Sequence, residues 1–350
     1  MDPDRLVECV PNVSEGRRPE VVDEVAAAFA GPEVLLLDRS SDPDHNRSVL
    51  TLAGPGPALV EAAVAGAKAC ARLIDLSRHQ GVHPRIGALD VLPFVPLGAA
   101  TALRGAADPD LDCAALALRA GRRIAEEAGI PVYLYGAAAR LPERAALPAV
   151  RRAATAAAGL SGGPAGEPQA AHPPASGAGD RPATANSRAT ANRRAAAPDL
   201  GGPGLHPTAG ATAVGARGLL VAYNVDLAGA DLALARRIAA AVRERDGGLP
   251  AVRAMGVALQ GRGLVQVSMN LLDFRVTPPA AAFAAVARLA EEAGAEVVRS
   301  EVVGLVPAAA LAGTDPAALR LDGFTPELLL EERLARALRG RQGDQAKVAR

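Results

Sequence analysis

The segment Arg78–Asp90 (RHQGVHPRIGALD) concentrates residue types that could perform acid–base chemistry. It contains two of the five histidines found among 350 residues, together with two arginines. An imidazole titrates near neutrality and can carry a proton, while a guanidinium group binds carboxylates through paired donors. The segment therefore indicates a proton carrier that serves an anionic substrate, and the spacing alone leaves both His79 and His83 open as that carrier.

Two other interpretations of the same histidines need to be weighed. Their spacing of four residues suits a metal site when both side chains project from one face of a helix. Gly81 disfavours a helix here, and Pro84 moves His83 away from the α conformation, so we expect no metal. A structural role, in which either histidine hydrogen-bonds the backbone of a tight loop, stays open at this stage.

The composition narrows the classes of partner. Lysine plus arginine and aspartate plus glutamate both number 38, so the net charge is zero and no field attracts nucleic acid. The charged N-terminus lacks an export signal, and no apolar run reaches the roughly 20 residues of a membrane span. Cys9, Cys70 and Cys113 show no CxxC spacing, which indicates a reducing compartment. We expect a cytoplasmic protein that contacts neither nucleic acid nor membrane.

The hydrophobic pattern predicts two α/β halves. In the first half, strands are predicted at Leu6–Val10, Val34–Leu37, Arg47–Ala53, Val91–Val95 and Val132–Tyr135, and helices at Pro19–Ala30, Pro57–Leu73 and Leu111–Ala128. In the second half, strands are predicted at Gly218–Asp226, Arg253–Leu259, Leu264–Leu271 and Val297–Val303, and helices at Asp231–Arg243, Pro279–Glu292 and Pro326–Arg339. The short turn at 260–263 suggests a hairpin, and hence a mixed rather than a purely parallel sheet.

These elements predict an α/β (α+β) fold with two ferredoxin-like subdomains, each a mixed sheet packed by helices. Between the halves, residues 156–197 are almost entirely Ala, Gly, Pro, Ser, Thr and Arg, so they cannot bury enough apolar surface to become ordered. We therefore predict an N-terminal subdomain at 1–152, a disordered linker at 153–197, a C-terminal subdomain at 198–340 and a loose tail at 341–350.

Seven segments of the chain resemble the glutamate formimidoyltransferase family, in the order in which that family has them. They are VECVPNVSEGRR (Val7–Arg18), DPDHNRSVLTLAG (Asp42–Gly54), RLIDLSRHQGVHPRIGALDVLPFVPL (Arg72–Leu97), GIPVYLYGAAAR (Gly129–Arg140), PDLGGPGLHPTAGATAVGAR (Pro198–Arg217), VAYNVDL (Val221–Leu227) and VQVSMNLLDF (Val265–Phe274). The resemblance covers both halves, from about Leu6 to Val306, and is far more specific than any single motif.

The resemblance implies transfer of a formimidoyl group between N-formimidoyl-L-glutamate and N5 of tetrahydrofolate, in histidine degradation. Tetrahydrofolate is then a co-substrate, and no metal is implied. The histidine of the HPR triplet is the catalytic one in this family, which selects His83. The resemblance also implies a homodimer that acts on small molecules, and a separate cyclodeaminase to complete the pathway.

Both substrates carry carboxylates, so the site must offer cations and oriented donors. Arg85 and Arg47 are candidates for binding substrate from their chemistry, and the resemblance adds Asn12 and Asn46. The resemblance assigns folate binding to a glycine-rich tract, in which Ala209 stands where some relatives have a large aromatic residue. The tract consists of Gly201, Gly202, Pro203, Gly204, Leu205, His206, Pro207, Thr208, Ala209 and Gly210.

Two alternative functions follow from the same residues. Related bacterial enzymes could transfer a formyl group, which differs from formimidoyl by O in place of NH, between N5 of tetrahydrofolate and glutamate. A folate-binding sensor built on the same fold would need the same carboxylate-binding groups but no proton carrier.

Overall fold

The computed structural model describes the backbone of residues 1–158 and 196–348, and the side chains up to residue 341. The first sheet contains β1 (Val7–Cys9), β2 (Asn12–Val13), β3 (Leu35–Asp42), β4 (Arg47–Gly54), β5 (Leu89–Pro96), β6 (Val132–Gly136) and β7 (Thr212–Ala216). Its helices are α1 (Pro19–Phe29), α2 (Gly56–Leu73), α3 (Cys113–Ala128) and α4 (Leu147–Ala157). The second part contains β8 (Val221–Ala228), α5 (Leu232–Val242), β9 (Val252–Leu259), β10 (Leu264–Leu271), α6 (Pro279–Glu292), β11 (Glu296–Val302) and α7 (Leu330–Val348).

The first subdomain is a ferredoxin-like unit with an extension. Strands β1 and β2 form one interrupted strand between β4 and β5, and β3 pairs with the outer edge of β4, all antiparallel. This is the β-α-β-β-α-β order of a ferredoxin-like fold, and β7 and β6 extend it as two parallel strands beyond β5. The sheet is therefore mixed, as predicted.

The second subdomain repeats the ferredoxin-like order without an extension. Its strands lie in the order β11-β8-β10-β9, and every neighbouring pair is antiparallel. The hairpin predicted at 260–263 is present, but this sheet is wholly antiparallel and not the mixed sheet that was predicted, because no parallel extension is added to it. Alternate residues of β8 point to opposite faces. Tyr223 and Val225 belong to the apolar core with α5 and α6, whereas Asn224 and Asp226 lie on the other face, where Arg262 pairs with both Asp226 and Asp42 of the first subdomain. The polar face thus looks toward the first sheet.

Strand β7 departs from the predicted subdomain boundary at residue 198. Thr212–Ala216 lies between β5 and β6 in the first sheet, and Leu200 bridges to Val132 of β6. The chain therefore returns to the first sheet after residues 159–195, and the second sheet begins only at Val221. Five residues rich in alanine and glycine carry too little apolar signal to predict a strand, and this one is specified by the two strands that flank it.

The predicted linker and the predicted C-terminal tail also differ from the structure at their ends. The predicted linker at 153–197 overlaps α4, which runs from Leu147 to Ala157, and its residues 159–195 lie outside the described part of the chain. The last helix continues to Val348, through most of the tail that was predicted to be loose. One reason is that Arg341 donates to the carbonyl oxygens of Gly31 and Val34 in the first subdomain.

The predicted helices and strands are otherwise confirmed to within a few residues at most of their ends. Local chemistry explains several ends: the Asp112 carboxylate accepts from the backbone N–H groups of Ala114 and Ala115 at the start of α3, and Gly129 ends that helix at a positive φ of 66°. At the crossing of α1 and α2, a Cβ on Gly66 would lie 2.2 Å from the ring of Phe29, so only glycine allows this approach. No helix in the described part of the chain is long and apolar enough to cross a membrane.

Glu8 generates a prediction about stability and pH. It lies on β1, is 5% exposed, and burial raises the pKa of its carboxyl from 4.5 to about 7, with Arg217 opposing the shift. The folded state thus keeps this proton up to about pH 7 while the unfolded chain releases it near 4.5, so this group lowers stability as pH rises between those values. Glu8→Gln removes that loss, and we expect a gain in unfolding free energy of the order of 3 kcal/mol at pH 8 and little gain at pH 4.

Urea unfolding at the two pH values measures the difference between wild type and variant. The matched control is Glu126→Gln on the exposed side of α3, which should change stability little at either pH. An equal effect of Glu8→Gln at both pH values would contradict the assignment of a raised pKa.

Candidate active site

The histidine loop, residues 79–88, connects a short 3-10 turn at 76–78 to β5 and is held against the turn that precedes β4. Gly81 is the closest point of approach. A Cβ there would lie 2.5 Å from the carbonyl oxygen of His45 and 2.9 Å from Cβ of Asn46. A glycine is therefore required for the loop to reach this turn, which fixes His83 relative to β4.

Arg85 shapes the histidine loop from within. Its Nη2 donates to the carbonyl oxygens of Gly81 at 2.9 Å and His83 at 2.7 Å, and its Nη1 contacts the ring of His79. These bonds hold the loop in a tight curve. That Arg85 also binds a substrate carboxylate stays a prediction, since its donors are shared with the loop.

His83 is bound directly to Arg47. Nη1 of Arg47 lies 3.0 Å from Nε2 of His83, and because a guanidinium group can only donate, Nε2 accepts this hydrogen bond. Burial lowers the pKa of His83 well below its ordinary value, and the charge of Arg47 lowers it further, followed by Arg151 and His45. His83 is therefore a neutral imidazole at physiological pH, which is the form that can act as a base.

In the part of the chain that the structure describes, the partly buried Arg47 has no acidic partner. No ion pair to it occurs among residues 1–158 and 196–341, and its Nε is buried without a hydrogen-bond partner. Burial lowers the pKa of Arg47 to about 10, an effect that nearby Asp90 opposes and Arg151 increases. The side chain remains charged, and its Nε–H has no acceptor among the described residues, which is unfavourable for a buried donor.

Asp90 and Arg151 form a buried ion pair behind the histidine loop. Nη2 of Arg151 lies 2.7 Å from Oδ2 of Asp90, and Oδ1 accepts from the backbone N–H of Ile86 at 2.7 Å. Asp90 is 2% exposed and lies on β5, whereas Arg151 comes from α4. The pair joins helix, strand and loop, and adds a second positive charge near His83.

A second histidine, His45, connects the site to the other subdomain. Its ring centroid lies 6.1 Å from that of His83, and its Nε2 donates to Oε1 of Gln266 on β10 at 3.1 Å. Gln266 in turn donates to Asp226 at 2.8 Å, and the backbone N–H of His45 donates to Asp42 at 2.8 Å. His45 is 7% exposed, so this chain of hydrogen bonds crosses the junction of the subdomains in a buried environment.

Asn46 holds three backbone segments together from a left-handed conformation, with φ of 47°. Its Oδ1 accepts from the N–H of Gly16 at 2.9 Å, and its Nδ2 donates to the carbonyl oxygen of Gln80 at 2.8 Å. Asn12, 7% exposed on β2, donates to the carbonyl oxygen of Val10 at 2.8 Å. Both asparagines brace their own surroundings, and substrate binding by either stays a prediction.

The glycine-rich tract 201–210 has two parts with different roles in the structure. Gly201–Gly204 is exposed, whereas His206–Gly210 forms a tight turn in which Nδ1 of His206 accepts from the N–H of Ala209 at 2.9 Å. The turn pairs with the histidine loop, since the N–H of Ala88 donates to the carbonyl oxygen of Ala209 at 2.9 Å. A Cβ on Gly210, at φ of 68°, would lie 2.2 Å from the carbonyl oxygen of Ile86, so glycine is needed there.

Of the predicted residues, His83 and Arg47 are in direct contact, Arg85 and Asn46 support the same loop, and the end of the glycine-rich tract packs on it. In the described part of the chain, neither Asn12 nor Gly201–Gly204 hydrogen-bonds to His83. Sequence reasoning missed His45, Asp90, Arg151 and Gln266. His45, Asp90 and Gln266 lie inside segments that resemble the family, so a polar residue in such a segment was a signal for a site residue. Arg151 lies outside those segments, and no feature of the sequence marked it.

His79 and His83 do not share the arrangement that a metal site would need. The two rings have separate partners: His79 contacts Arg85 and the carbonyl oxygen of Asn46, and His83 contacts Arg47. Across the described part of the chain, no group of three or more His, Cys, Asp or Glu side chains is arranged to hold a metal ion.

Two ferredoxin-like subdomains with a neutral histidine among arginines at their junction are the features of an acid–base enzyme for anionic substrates. Comparison with known protein families identifies the family to which the chain belongs. Residues 6–217 match the formiminotransferase domain, N-terminal subdomain, and residues 222–317 match the formiminotransferase domain. The chain therefore belongs to the formiminotransferase family. The limit between the two matches falls where the first sheet ends and the second begins.

Individual relatives of known name support the same family. The chain is 38% identical over 334 residues to a glutamate formimidoyltransferase of Thermoplasma acidophilum, with 95% of this chain and 98% of the relative covered. It is 38% identical over 321 residues to one from Streptococcus pyogenes, covering 91% and 95%. A formimidoyltransferase-cyclodeaminase of Sus scrofa is 40% identical over 346 residues, which are 97% of this chain and 57% of that longer protein.

Gly81→Ala tests whether the contact between the histidine loop and the preceding turn is needed for activity. The added Cβ would meet the carbonyl oxygen of His45 at 2.5 Å, so the loop must move and His83 must leave its position beside Arg47. We expect kcat/KM to fall on the order of 10²-fold, because a displacement of about 1 Å has that effect on positioned catalytic groups.

Gly218→Ala is the matched control, because a Cβ there meets nothing within 4 Å. Steady-state kinetics and circular dichroism on both variants separate loss of activity from loss of fold. A fully active, folded Gly81→Ala enzyme would show that the position of the loop does not matter.

Proposed function

We propose that this protein is a glutamate formimidoyltransferase that transfers the formimidoyl group between N-formimidoyl-L-glutamate and N5 of tetrahydrofolate, in histidine degradation. The observation that carries the proposal is the partly buried hydrogen bond between His83 and Arg47, which combines a neutral base with a cation that has no acidic partner in the described chain. The two curated relatives of similar length that carry this enzyme name support the choice of substrates.

The role of His83 follows from the chemistry of the amino group. In the direction that makes formimidoylglutamate, L-glutamate arrives as an ammonium ion and has no lone pair with which to attack. His83 takes one ammonium proton, and the free amine then adds to the formimidoyl carbon. When the bond from that carbon to N5 breaks, the His83 imidazolium returns the proton to N5, and the opposite direction uses the same steps in reverse.

Arg47 is the first candidate for holding a glutamate carboxylate in this scheme. It lies within hydrogen-bond distance of His83, so a carboxylate on its guanidinium group would bring the neighbouring amino group toward the imidazole. Arg151 is paired with Asp90, and Arg85 donates to carbonyl oxygens of the loop. These two arginines therefore add positive charge to the site but have fewer free N–H groups to offer a substrate.

The polar face of the second sheet, at the junction with the first subdomain, is our candidate for binding the folate. On this face Asn270 is exposed although β10 is a central strand of the sheet. Ser268, two residues nearer to Gln266 on the same face, is partly accessible. Hydroxyl and amide groups suit the hydrogen-bonding edges of a pterin ring, and the resemblance adds the tract 201–210, whose end packs on the histidine loop.

The remaining parts of the proposal rest on the resemblance to the family alone. They are a cytoplasmic homodimer, small-molecule substrates as its partners, and a cyclodeaminase step that follows on the folate product. Tetrahydrofolate is used as a co-substrate in this proposal, and none of the proposed steps involves a metal.

His83→Ala tests the proposal. We expect kcat for transfer from N-formimidoyl-L-glutamate to tetrahydrofolate to fall by about 10²–10⁴-fold, because a positioned acid–base group contributes that much. Tetrahydrofolate binding, measured by calorimetry, should persist, because the imidazole acts on the amino group and not on folate recognition. Ser77→Ala, an exposed residue six positions earlier, is the control and should keep full turnover.

Wild-type enzyme assayed with N-formimidoyl-L-glutamate and with N-formyl-L-glutamate identifies the transferred group. Higher kcat/KM with the formyl donor would replace the formimidoyl assignment by formyl transfer. Binding of tetrahydrofolate without turnover of either donor would instead indicate a folate sensor.

A further inference from the structure

The hydrogen bond between Arg47 and His83 poses a problem for a base. A neutral imidazole has one nitrogen that carries hydrogen and one lone pair that accepts. Nε2 of His83 accepts from Nη1 of Arg47 at 3.0 Å, so this lone pair is already occupied, and Nδ1 carries the hydrogen. In this state His83 has no free lone pair with which to take a proton from an ammonium group.

We propose that Arg47 is a substrate-operated cap on His83: a substrate carboxylate draws the guanidinium group away from Nε2, and the uncovered lone pair then accepts the ammonium proton. Arg47 therefore has two roles in the proposal: it binds the substrate carboxylate, and it controls access to the lone pair of His83. The inference rests on the proposed function, because it concerns the carboxylate and the amino group of the same substrate.

The exchange of partners is favourable for Arg47. Its Nε is buried without a hydrogen bond, and no carboxylate in the described residues pairs with it. The acidic group whose charge acts on Arg47, Asp90, is already bound by Arg151 at 2.7 Å and by the N–H of Ile86 at 2.7 Å. A carboxylate offers two charged acceptor oxygens, and hydrogen bonds between ionised partners are roughly twice as strong as neutral ones. The imidazole is the weaker of the two acceptors.

The surrounding charges act in the same direction as the hydrogen bond. His83 is faced by Arg47 from β4, by Arg151 from α4 and by His45 from the turn before β4, and all three lower its pKa, whereas the backbone of Pro84 in its own loop raises it. Arg85 donates to the carbonyl oxygen of His83, and Asp90 lies near Arg47. A carboxylate on Arg47 would neutralise the closest cation, so His83 becomes a stronger base only when substrate is bound.

This arrangement sets the order of events. The anion must bind before the proton can move, so a substrate analogue without the carboxylate would leave His83 covered. Such an analogue should lose kcat as well as affinity, which distinguishes a cap from a simple binding group.

The test follows the His83 imidazole by NMR with ¹⁵N- and ¹³C-labelled histidine, and the His83→Gln variant assigns its resonance. In the wild-type enzyme, saturating L-glutamate should raise the pKa of His83 and shift its Nε2 resonance toward that of an unbonded nitrogen. In Arg47→Met, which keeps the length but has no donors, the pKa should already be raised without ligand and should not respond to L-glutamate.

Arg39→Met, which removes an exposed guanidinium group on the adjacent strand β3, is the matched control and should titrate like the wild type. Arg47→Met should also lower kcat/KM for N-formimidoyl-L-glutamate by about 10–150-fold, as expected for loss of a charge-assisted hydrogen bond. A His83 pKa in the wild type that does not change with L-glutamate would overturn the cap, whether or not the variants fold.

The two proposals fail in different ways. If His83→Ala retains full transfer, the proposed function of His83 is wrong. If His83→Ala is inactive but the His83 titration ignores L-glutamate, only the cap is wrong. The NMR titration needs no turnover and so reports on the cap by itself.

Discussion

The contact between the histidine loop and the start of β4 is the constraint on which the candidate site depends. His83 stands in a loop with little regular structure, so its position is set by what the loop touches. Gly81 allows the loop to reach the carbonyl oxygen of His45, Asn46 ties the loop to the backbone of Gly16, and Arg47 bonds the imidazole itself. Three consecutive residues, 45–47, thus carry one contact each, and the left-handed backbone of Asn46 lets them point in different directions.

The same constraint explains why both subdomains and a distant strand are needed. The turn before β4 is held from the far side by the second sheet, through His45 and Gln266 and through Arg262 with Asp42. The histidine loop is held from the other side by the turn that precedes β7, through the backbone pairing of Ala88 with Ala209. β7 can supply that turn only because it enters the first sheet between β5 and β6. The ferredoxin-like unit alone would leave the loop without this support.

The sequence was sufficient for most of the fold, because long amphipathic periods such as Pro57–Leu73 and alternating runs such as Leu264–Leu271 are local signals. It was insufficient for β7, whose residues TAVGA carry little apolar signal and take their conformation from two flanking strands. For the site, the residue types of the segment Arg78–Asp90 predicted a proton-carrying histidine beside arginines. Only the resemblance to the family selected His83 over His79. The ion pair of Asp90 with Arg151 near Arg47 could not be predicted, since a contact between β5 and α4 depends on tertiary packing and leaves no periodic trace in the sequence.

Positive and negative charges are not balanced around His83. The whole chain is neutral, with 38 basic and 38 acidic residues, yet in the described part of the chain Arg47, Arg151 and Arg85 lie around His83, and the carboxylate that acts on Arg47 and Arg85 is that of Asp90. Burying unbalanced positive charge is unfavourable, and the lowered pKa values of Arg47 and His83 express that strain. A ligand with carboxylates relieves it. The same imbalance that keeps His83 neutral in the free protein therefore favours binding of an anion, and the anion in turn strengthens His83 as a base.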